Sequence, residues 1–221
     1  IALNCSSYTE SLLESELFGY NEGAFTGATK SKEGKIELSD KGTLFLDEIG
    51  DSSPATQLKL LRAIETRQIE RMGSNTPRSV DFRLICATNR DLKEDILNNL
   101  FREDFFYRIS SIVIKVPSLK ERKEDLFDMI NFFLDKTCSS CNVKINNIED
   151  DVLRFLYEYD YPGNIRELKN IIERLVVLSE NGIITKSELP LIYGINKKSD
   201  NDFQSKFEPF DQIITLREFK A

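Results

Sequence analysis

Lys41-Gly42-Thr43-Leu44-Phe45-Leu46-Asp47-Glu48 is a short apolar run that follows a glycine and closes on two carboxylates. Without polar alternation it reads as a strand covered on both faces, as in a parallel sheet. Open α/β sheets hold ligands beyond the carboxyl ends of their strands, which is where Asp47 and Glu48 fall. One carboxylate there suits a hydrated Mg2+, and its neighbour suits the orientation of an attacking water. Taken alone, the run is equally a strand entering a solvated acidic turn.

Working outward, strands and helices alternate. Ile1-Ala2-Leu3-Asn4 reads as the end of a strand. Residues 9–18 carry Leu12, Leu13 and Leu17 at helical spacing and stop at Gly19. Ile36-Glu37-Leu38 leads into the central run. Ser53-Pro54 opens a helix, with Ser as cap and Pro at the first helical position. Leu58, Leu61 and Ile64 are expected on its buried face. Residues 69–74 form an excursion before an expected strand at 82–87. Residues 112–116 are expected as the last strand, closed by Pro117. This order argues for a parallel α/β sheet. After Pro117 the pattern turns helical, over 125–137, 151–159 and 164–179. Ile165, Leu168, Ile172 and Leu175 give the last of these an apolar stripe. The expected divisions are an α/β unit at 1–117, a small helical unit at 118–194, and a polar linker at 195–221, in which Leu216-Arg217-Glu218-Phe219 starts another helix.

The chain has 221 residues and a net charge of −7. That length suits one ordinary domain with a smaller companion. The acidic balance argues against a broad nucleic-acid or membrane surface, and leaves open a DNA-binding domain elsewhere in a longer protein. No apolar run reaches the ~18 residues of a membrane span, and no signal-peptide pattern opens the chain, so the expected location is cytoplasmic. There are four cysteines and no histidine. Cys138-Ser139-Ser140-Cys141 has metal-ligand spacing but lacks the two further ligands of a zinc site, so reduced, structural thiols are expected. Cys5 and Cys86 are expected in strands. Without histidine, Ser-His and Cys-His nucleophilic pairs are excluded.

Gly23-Ala24-Phe25-Thr26-Gly27-Ala28 sets one aromatic and one hydroxyl between glycines that free the backbone. It follows Glu16-Leu17-Phe18-Gly19-Tyr20-Asn21-Glu22. A tucked-in turn and a partner-facing tip both fit this composition.

Together these segments resemble the central AAA+ ATPase domain of the sigma-54-dependent bacterial transcription activators, the signal-responsive bacterial enhancer-binding proteins. The resemblance runs from Ile1 to about residue 193. Residues 16–28 are similar to that family's sigma-contacting signature, and Leu44 to Glu48 to its Walker B strand. The fold it implies is α/β, an AAA+ P-loop-NTPase-type parallel sheet with helices followed by a small all-helical lid. The implied cofactors are ATP and Mg2+. Asp47 would coordinate Mg2+ through water, and Glu48 would polarise the attacking water. Asn4, in Leu3-Asn4-Cys5, resembles the asparagine that restrains the catalytic glutamate. Thr88-Asn89 match sensor I, which reads the γ-phosphate. Phe101-Arg102-Glu103-Asp104-Phe105-Phe106-Tyr107-Arg108-Ile109 resembles the arginine-finger segment. Through it, Arg102 and Arg108 would reach ATP held by the neighbouring subunit of a ring. Tyr161-Pro162-Gly163-Asn164-Ile165-Arg166-Glu167-Leu168 matches sensor II, with Arg166 on the first helical turn and Asn164 with Glu167 as a capping box.

The implied partners are sigma-54 and RNA polymerase holoenzyme, contacted by Gly23, Ala24, Phe25, Thr26, Gly27 and Ala28. Promoter DNA would be bound through a domain outside this chain. The pattern G-x-x-x-x-G-K-[ST] does not occur in the sequence. The resemblance places it upstream of Ile1, so the segment is expected to be truncated at its N-terminus and inactive by itself. Two alternatives stand beside this reading. An AAA+ ATPase with another target keeps Asp47, Glu48 and Arg166 but has no use for residues 23–28. A non-catalytic AAA+ regulatory module lacks the phosphate-binding loop altogether.

Overall fold

The computed structural model describes residues 1–189, so the expected linker and terminal helix at 195–221 lie outside the described residues. The chain divides into two compact units, Ile1–Ile114 and Lys115–Ala221.

The first unit opens with β1 (Ala2–Asn4), a 3-10 turn (Cys5–Ser7), α1 (Glu10–Phe18), β2 (Gly19–Tyr20), β3 (Lys32–Glu33) and α2 (Lys35–Leu38). β4 (Thr43–Asp47), a second 3-10 turn (Ile49–Asp51), α3 (Pro54–Thr66), β5 (Gln68–Ile69) and β6 (Arg78–Ser79) follow. β7 (Arg83–Cys86), α4 (Leu92–Leu97) and α5 (Glu103–Ile109) complete it. β1, β4 and β7 form a parallel sheet in that order. β4 is central, and its Leu44 and Leu46 are wholly buried, as an unbroken apolar run requires. Asn4 pairs in register with Asp47, and Leu46 with Cys86. Cys5 lies in the turn beyond β1 rather than in a strand, because the Asn4 side chain accepts the Ser6 N–H and turns the chain there.

α3 begins as its local chemistry dictates. Ser53 Oγ accepts the Thr56 N–H at 3.2 Å, and Pro54 fills the first helical position. Its buried face is rotated from the expected one. Thr56, Gln57, Leu60, Leu61 and Ala63 are buried, while Leu58 is only half-buried. Two polar residues on that face are tolerated because their side chains are hydrogen-bonded.

Residues 112–116 are not a strand. Ile112, Val113, Ile114 and Val116 are each more than three-quarters exposed. A strand needs a neighbour to complete its ladder. Among the described residues the sheet ends at β7, where Ile85 is 42% exposed, and no strand pairs with this segment.

The glycine-bounded loop rises from a tight stem. Gly19, at φ 74°, ends α1 and donates its N–H to Ser15 O. β2 and β3 pair antiparallel, Gly19 with Glu33. β5 and β6 form a second small hairpin. Their connection meets the loop through two backbone bonds, Met72 N to Gly19 O at 2.9 Å and Asn21 N to Met72 O at 3.0 Å. Arg71, 8% exposed, anchors this hairpin on α2 by a two-pronged bond to Glu37, both arms 2.9 Å, with Glu33 at 3.3 Å. Paired and bonded in this way, a nearly buried guanidinium is acceptable.

In the second unit Ser118 and Glu121 cap the 3-10 segment Leu119–Asp125. α6 (Leu126–Cys141), β8 (Asn147–Ile148), α7 (Asp150–Glu158), α8 (Asn164–Leu178) and β9 (Ile183–Ile184) follow. Leu126, Ile130, Val152, Leu156, Leu168 and Ile172 fill the core between the helices. β8 and β9 add a two-residue parallel pairing. The capping box expected of Asn164 and Glu167 does not form as such. Asn164 is the first residue of α8, at φ 53°, and its Oδ1 accepts the Leu119 N–H at 2.8 Å. Glu167 does reach back, but to Gly163 N at 2.7 Å, while also accepting the Tyr159 hydroxyl. The asparagine is diverted because the chain entering at Leu119 needs an acceptor. Tyr161 is buried and donates its hydroxyl to Leu156 O at 2.5 Å, and burial raises its phenol above the ordinary range.

Gly34 faces the end of α1, where a Cβ would overlap the Leu17 carbonyl oxygen and Phe18 C. Its φ is −80°, so alanine there costs only the clash. Gly34→Ala is expected to destabilise the first unit by about 2–3 kcal/mol, as overpacking does. Gly23→Ala meets open space and carries only the left-handed penalty of about 1–2 kcal/mol. Urea melts of the two variants check the difference, and equal midpoints would contradict the close approach at Gly34.

Candidate functional site

The carboxyl ends of three adjacent parallel strands bring together Asn4, the pair Asp47-Glu48, and Thr88-Asn89. Asn4 Nδ2 donates to Asp47 Oδ2 at 3.2 Å. Its Oδ1 accepts the Ser6 N–H at 2.9 Å and the Ser6 hydroxyl at 2.7 Å, which fixes the orientation of the carboxamide. Asp47 Oδ1 accepts the Glu48 N–H at 3.1 Å. Glu48 itself is left-handed, at φ 52°, directly after the strand. Residues other than glycine adopt this conformation at a cost, and such strain gathers at functional sites. The turn places the Glu48 carboxylate against Asn89, whose N–H donates to Glu48 Oε2 at 3.3 Å. The asparagine expected to restrain Glu48 therefore meets Asp47, and Glu48 engages the backbone of Asn89.

Gly50 lets this turn lie close to β7, since a Cβ there would stand 2.9 Å from Thr88 Oγ1. Thr88 Oγ1 accepts the Arg90 N–H at 3.2 Å, and Arg90 spans Asp51 and Asp95. Two thiols lie beside the acidic edge. Burial pushes both Cys5 and Cys86 up to about 12, and Asp47 and Asp51 add to the effect at Cys5. Both stay neutral and are poor ligands and nucleophiles at ordinary pH.

Arg102 caps α5, and its guanidinium forms a two-pronged pair with Asp104 at 3.0 and 2.6 Å. That hydrogen bond holds the Asp104 carboxyl below its ordinary range. Arg108 is exposed on the last turn of the same helix. The Arg102 N–H donates to Gln57 Oε1 at 2.8 Å. Arg166 is exposed on the first turn of α8, in the second unit.

The residues 23–28 fold into a compact tip. Gly23 N donates to Ala28 O at 2.9 Å, and Ala28 N to Phe25 O at 3.0 Å. Gly27, at φ 99°, is the third residue of the inner turn, where a type II turn demands positive φ. Phe25 is 44% exposed, with its ring edge-on to Tyr20 at 5.0 Å, and Thr26 is exposed beside it. Ala28 is buried and roots the tip. Gly73 allows the neighbouring hairpin to touch it, for a Cβ at 73 would lie 2.8 Å from Ala24 Cβ. Gln57, Tyr20 and Gly73 were not singled out as site residues from the sequence. Gln57 did carry a signal, because positions 57, 60, 61 and 64 form one helical stripe in which it is the polar member.

Residues 1–115 match the family described as the Sigma-54 interaction domain, and residues 120–206 match the AAA+ ATPase lid domain. The transcriptional regulatory protein ZraR of Salmonella typhimurium LT2 is 49% identical over 191 residues, covering 86% of this chain and 43% of that protein. The Nif-specific regulatory protein of Klebsiella pneumoniae is 46% identical over 186 residues, covering 84% of this chain and 35% of that protein. Among solved structures, NtrX from Brucella abortus in complex with ADP superposes with a TM-score of 0.78 at 32% identity, over 87% of this chain and 44% of that one. NtrX in complex with ATP gives a TM-score of 0.76 at 32% identity, over 85% and 43%. The chain spans less than half the length of these relatives. Among the described residues no helix is long and apolar enough to cross a membrane.

The thiols offer a direct check on the acidic edge. At pH 8, iodoacetamide is expected to alkylate exposed Cys141 in the folded chain and to leave Cys5 and Cys86 untouched until denaturant is added. Peptide mass mapping reads the result. Labelling of Cys86 as fast as Cys141 would show that β7 is open to solvent at that face.

Proposed function

The chain belongs to the Sigma-54 interaction domain family, and on that premise we propose that the protein carrying it uses ATP hydrolysis, in a ring of subunits, to remodel sigma-54 RNA polymerase holoenzyme and drive open-complex formation. One observation carries this reading. The Asp47-Glu48 pair ends the central strand, and the same unit presents exposed Phe25 and Thr26 on a separate glycine-bounded tip. An acidic strand end serves phosphoryl chemistry, and a separate aromatic tip serves a protein partner. An AAA+ protein with another target accounts for the first feature and leaves the second without a use.

The family resemblance and the strand-end geometry support the following roles. Glu48 orients and deprotonates the attacking water. Mg2+ fits the donors present, because Asp47 and Glu48 are adjacent carboxylates, hard oxygen donors, at the end of β4. Mg2+ commonly takes one carboxylate and keeps its waters and the substrate's phosphate oxygens as its other ligands. Asp47 would hold it through water, and the ion would neutralise charge on the phosphates. Asn4 orients Asp47. Thr88 and Asn89 read the γ-phosphate. When the Asn89 segment turns to that phosphate, Glu48 loses the N–H that holds it and becomes free to meet water. Arg102 and Arg108 supply permanent positive charge to nucleotide on the adjacent subunit, and Arg166 supplies it from the lid.

The test uses the full-length protein that carries this segment. Glu48→Ala is expected to bind ATP but to lose hydrolysis by about 10²-fold or more. Phe25→Ala and Thr26→Ala are expected to hydrolyse ATP at near-normal rates. Both should fail to bind sigma-54 holoenzyme with a transition-state nucleotide analogue, and fail to open promoters. Normal turnover in Glu48→Ala defeats the catalytic assignment. Normal promoter opening by both tip variants defeats the sigma-54 assignment.

A further inference from the structure

We propose that Gln57 is a positioning residue that couples the turn carrying Glu48 to the arginine that acts on the neighbouring subunit. This rests on reading Arg102 as a finger that works in trans. Gln57 is wholly buried on α3, and its whole side-chain amide is engaged. Nε2 donates to Ser52 O at 2.7 Å and to Leu100 O at 3.2 Å, and Oε1 accepts the Arg102 N–H at 2.8 Å.

Those three partners lie on two separate loops. Ser52 closes the turn that leaves Glu48, with Asp51 N bonded to Glu48 O at 3.0 Å and Ser52 N to Ile49 O at 3.1 Å. Ile49 N in turn bonds Ala87 O at 3.0 Å, which ties this turn to the strand end that carries Thr88. Leu100 and Arg102 belong to the segment that opens α5. The amide is planar, so a shift of the Ser52 carbonyl and a shift of the Arg102 N–H are transmitted through one rigid group. Beyond that anchor the guanidinium is solvent-facing and oriented by Asp104. Gln57 thus sets the backbone of residue 102, and Asp104 sets its head. A buried amide is acceptable only because its donors and acceptor are engaged, and each bond is spent on loop backbone. The consequence is a mechanical path from one subunit's hydrolysis site to the next subunit's nucleotide.

Mixed rings of the full-length protein separate this role from a merely structural one. Gln57→Met removes all three bonds at similar volume. It is expected to lower turnover by about 10²-fold, the scale of a small misplacement of a catalytic group, with nucleotide KM changed little. Mixed with Glu48→Ala subunits it should regain turnover, because one subunit type supplies the base and the other a well-placed finger. Mixed with Arg102→Ala subunits it should regain none, because both lack the finger. Gln57→Glu keeps the acceptor for Arg102 N but can donate to only one of the two carbonyls, and only when protonated, so its turnover should partly recover as pH falls, unlike that of the parent chain. Far-UV circular dichroism and ring formation are checked for each variant. Should Gln57→Met not fold, the pH profile of Gln57→Glu carries the test. Wild-type turnover in Gln57→Met, equal response to both mixing partners, or a flat pH profile for a folded Gln57→Glu overturns the proposal. Failure of Arg102→Ala itself to be rescued by Glu48→Ala defeats the trans-acting finger instead, and so marks which of the two readings has failed.

Discussion

The parallel register of β4 between β1 and β7 is the constraint on which the first unit depends. It aligns three strand ends, so that Asn4 meets Asp47 and the Asn89 N–H meets the Glu48 carboxylate. A one-residue slip of β1 would move Asn4 away from Asp47 and turn its buried leucine to the opposite face. The ladder is enforced by burial. Leu44 and Leu46 are fully covered, and Leu3 nearly so, and their transfer from water contributes on the order of 2 kcal/mol each. The polar edge is therefore a consequence of an apolar interior.

Local signals were legible, and non-local claims on the same residues were not. The unbroken run at residues 43–47 admits few structures, and Ser53-Pro54 starts α3 by chemistry contained within four residues. Residues 112–116 have strand composition, but a strand depends on its neighbour as much as on itself, and their apolar side chains face solvent. Asn164 and Glu167 have capping spacing, but Leu119, 45 residues away, takes the asparagine. The burial of Gln57 likewise follows from backbone at Leu100 and Arg102, more than forty residues on. Taking Leu58, Leu61 and Ile64 as the buried face of α3 placed it one step off and overlooked the amide in it.

The acidic edge and the aromatic tip are built on different principles. The edge is fixed by sheet pairing and a left-handed Glu48. The tip is fixed by short backbone bonds, by the Tyr20 ring under Phe25, and by a hairpin anchored through Arg71 on Glu37. Few apolar contacts hold the tip, and most of its residues face solvent. Segments of that kind open at lower free energy than the core around them. Residues 21–30 can therefore rearrange without disturbing β4.

The contact between Gly73 and Ala24 has a consequence for how this sequence can drift. With only 2.8 Å between a Cβ at 73 and the one at 24, the two positions share a single methyl-sized space. Gly73 also holds φ 75°, so it has little freedom to yield. Among descendants of this chain, a side chain at 73 should arise only together with glycine at 24 or with a displaced hairpin. The composition of the tip is thus written partly by a residue nearly fifty positions away.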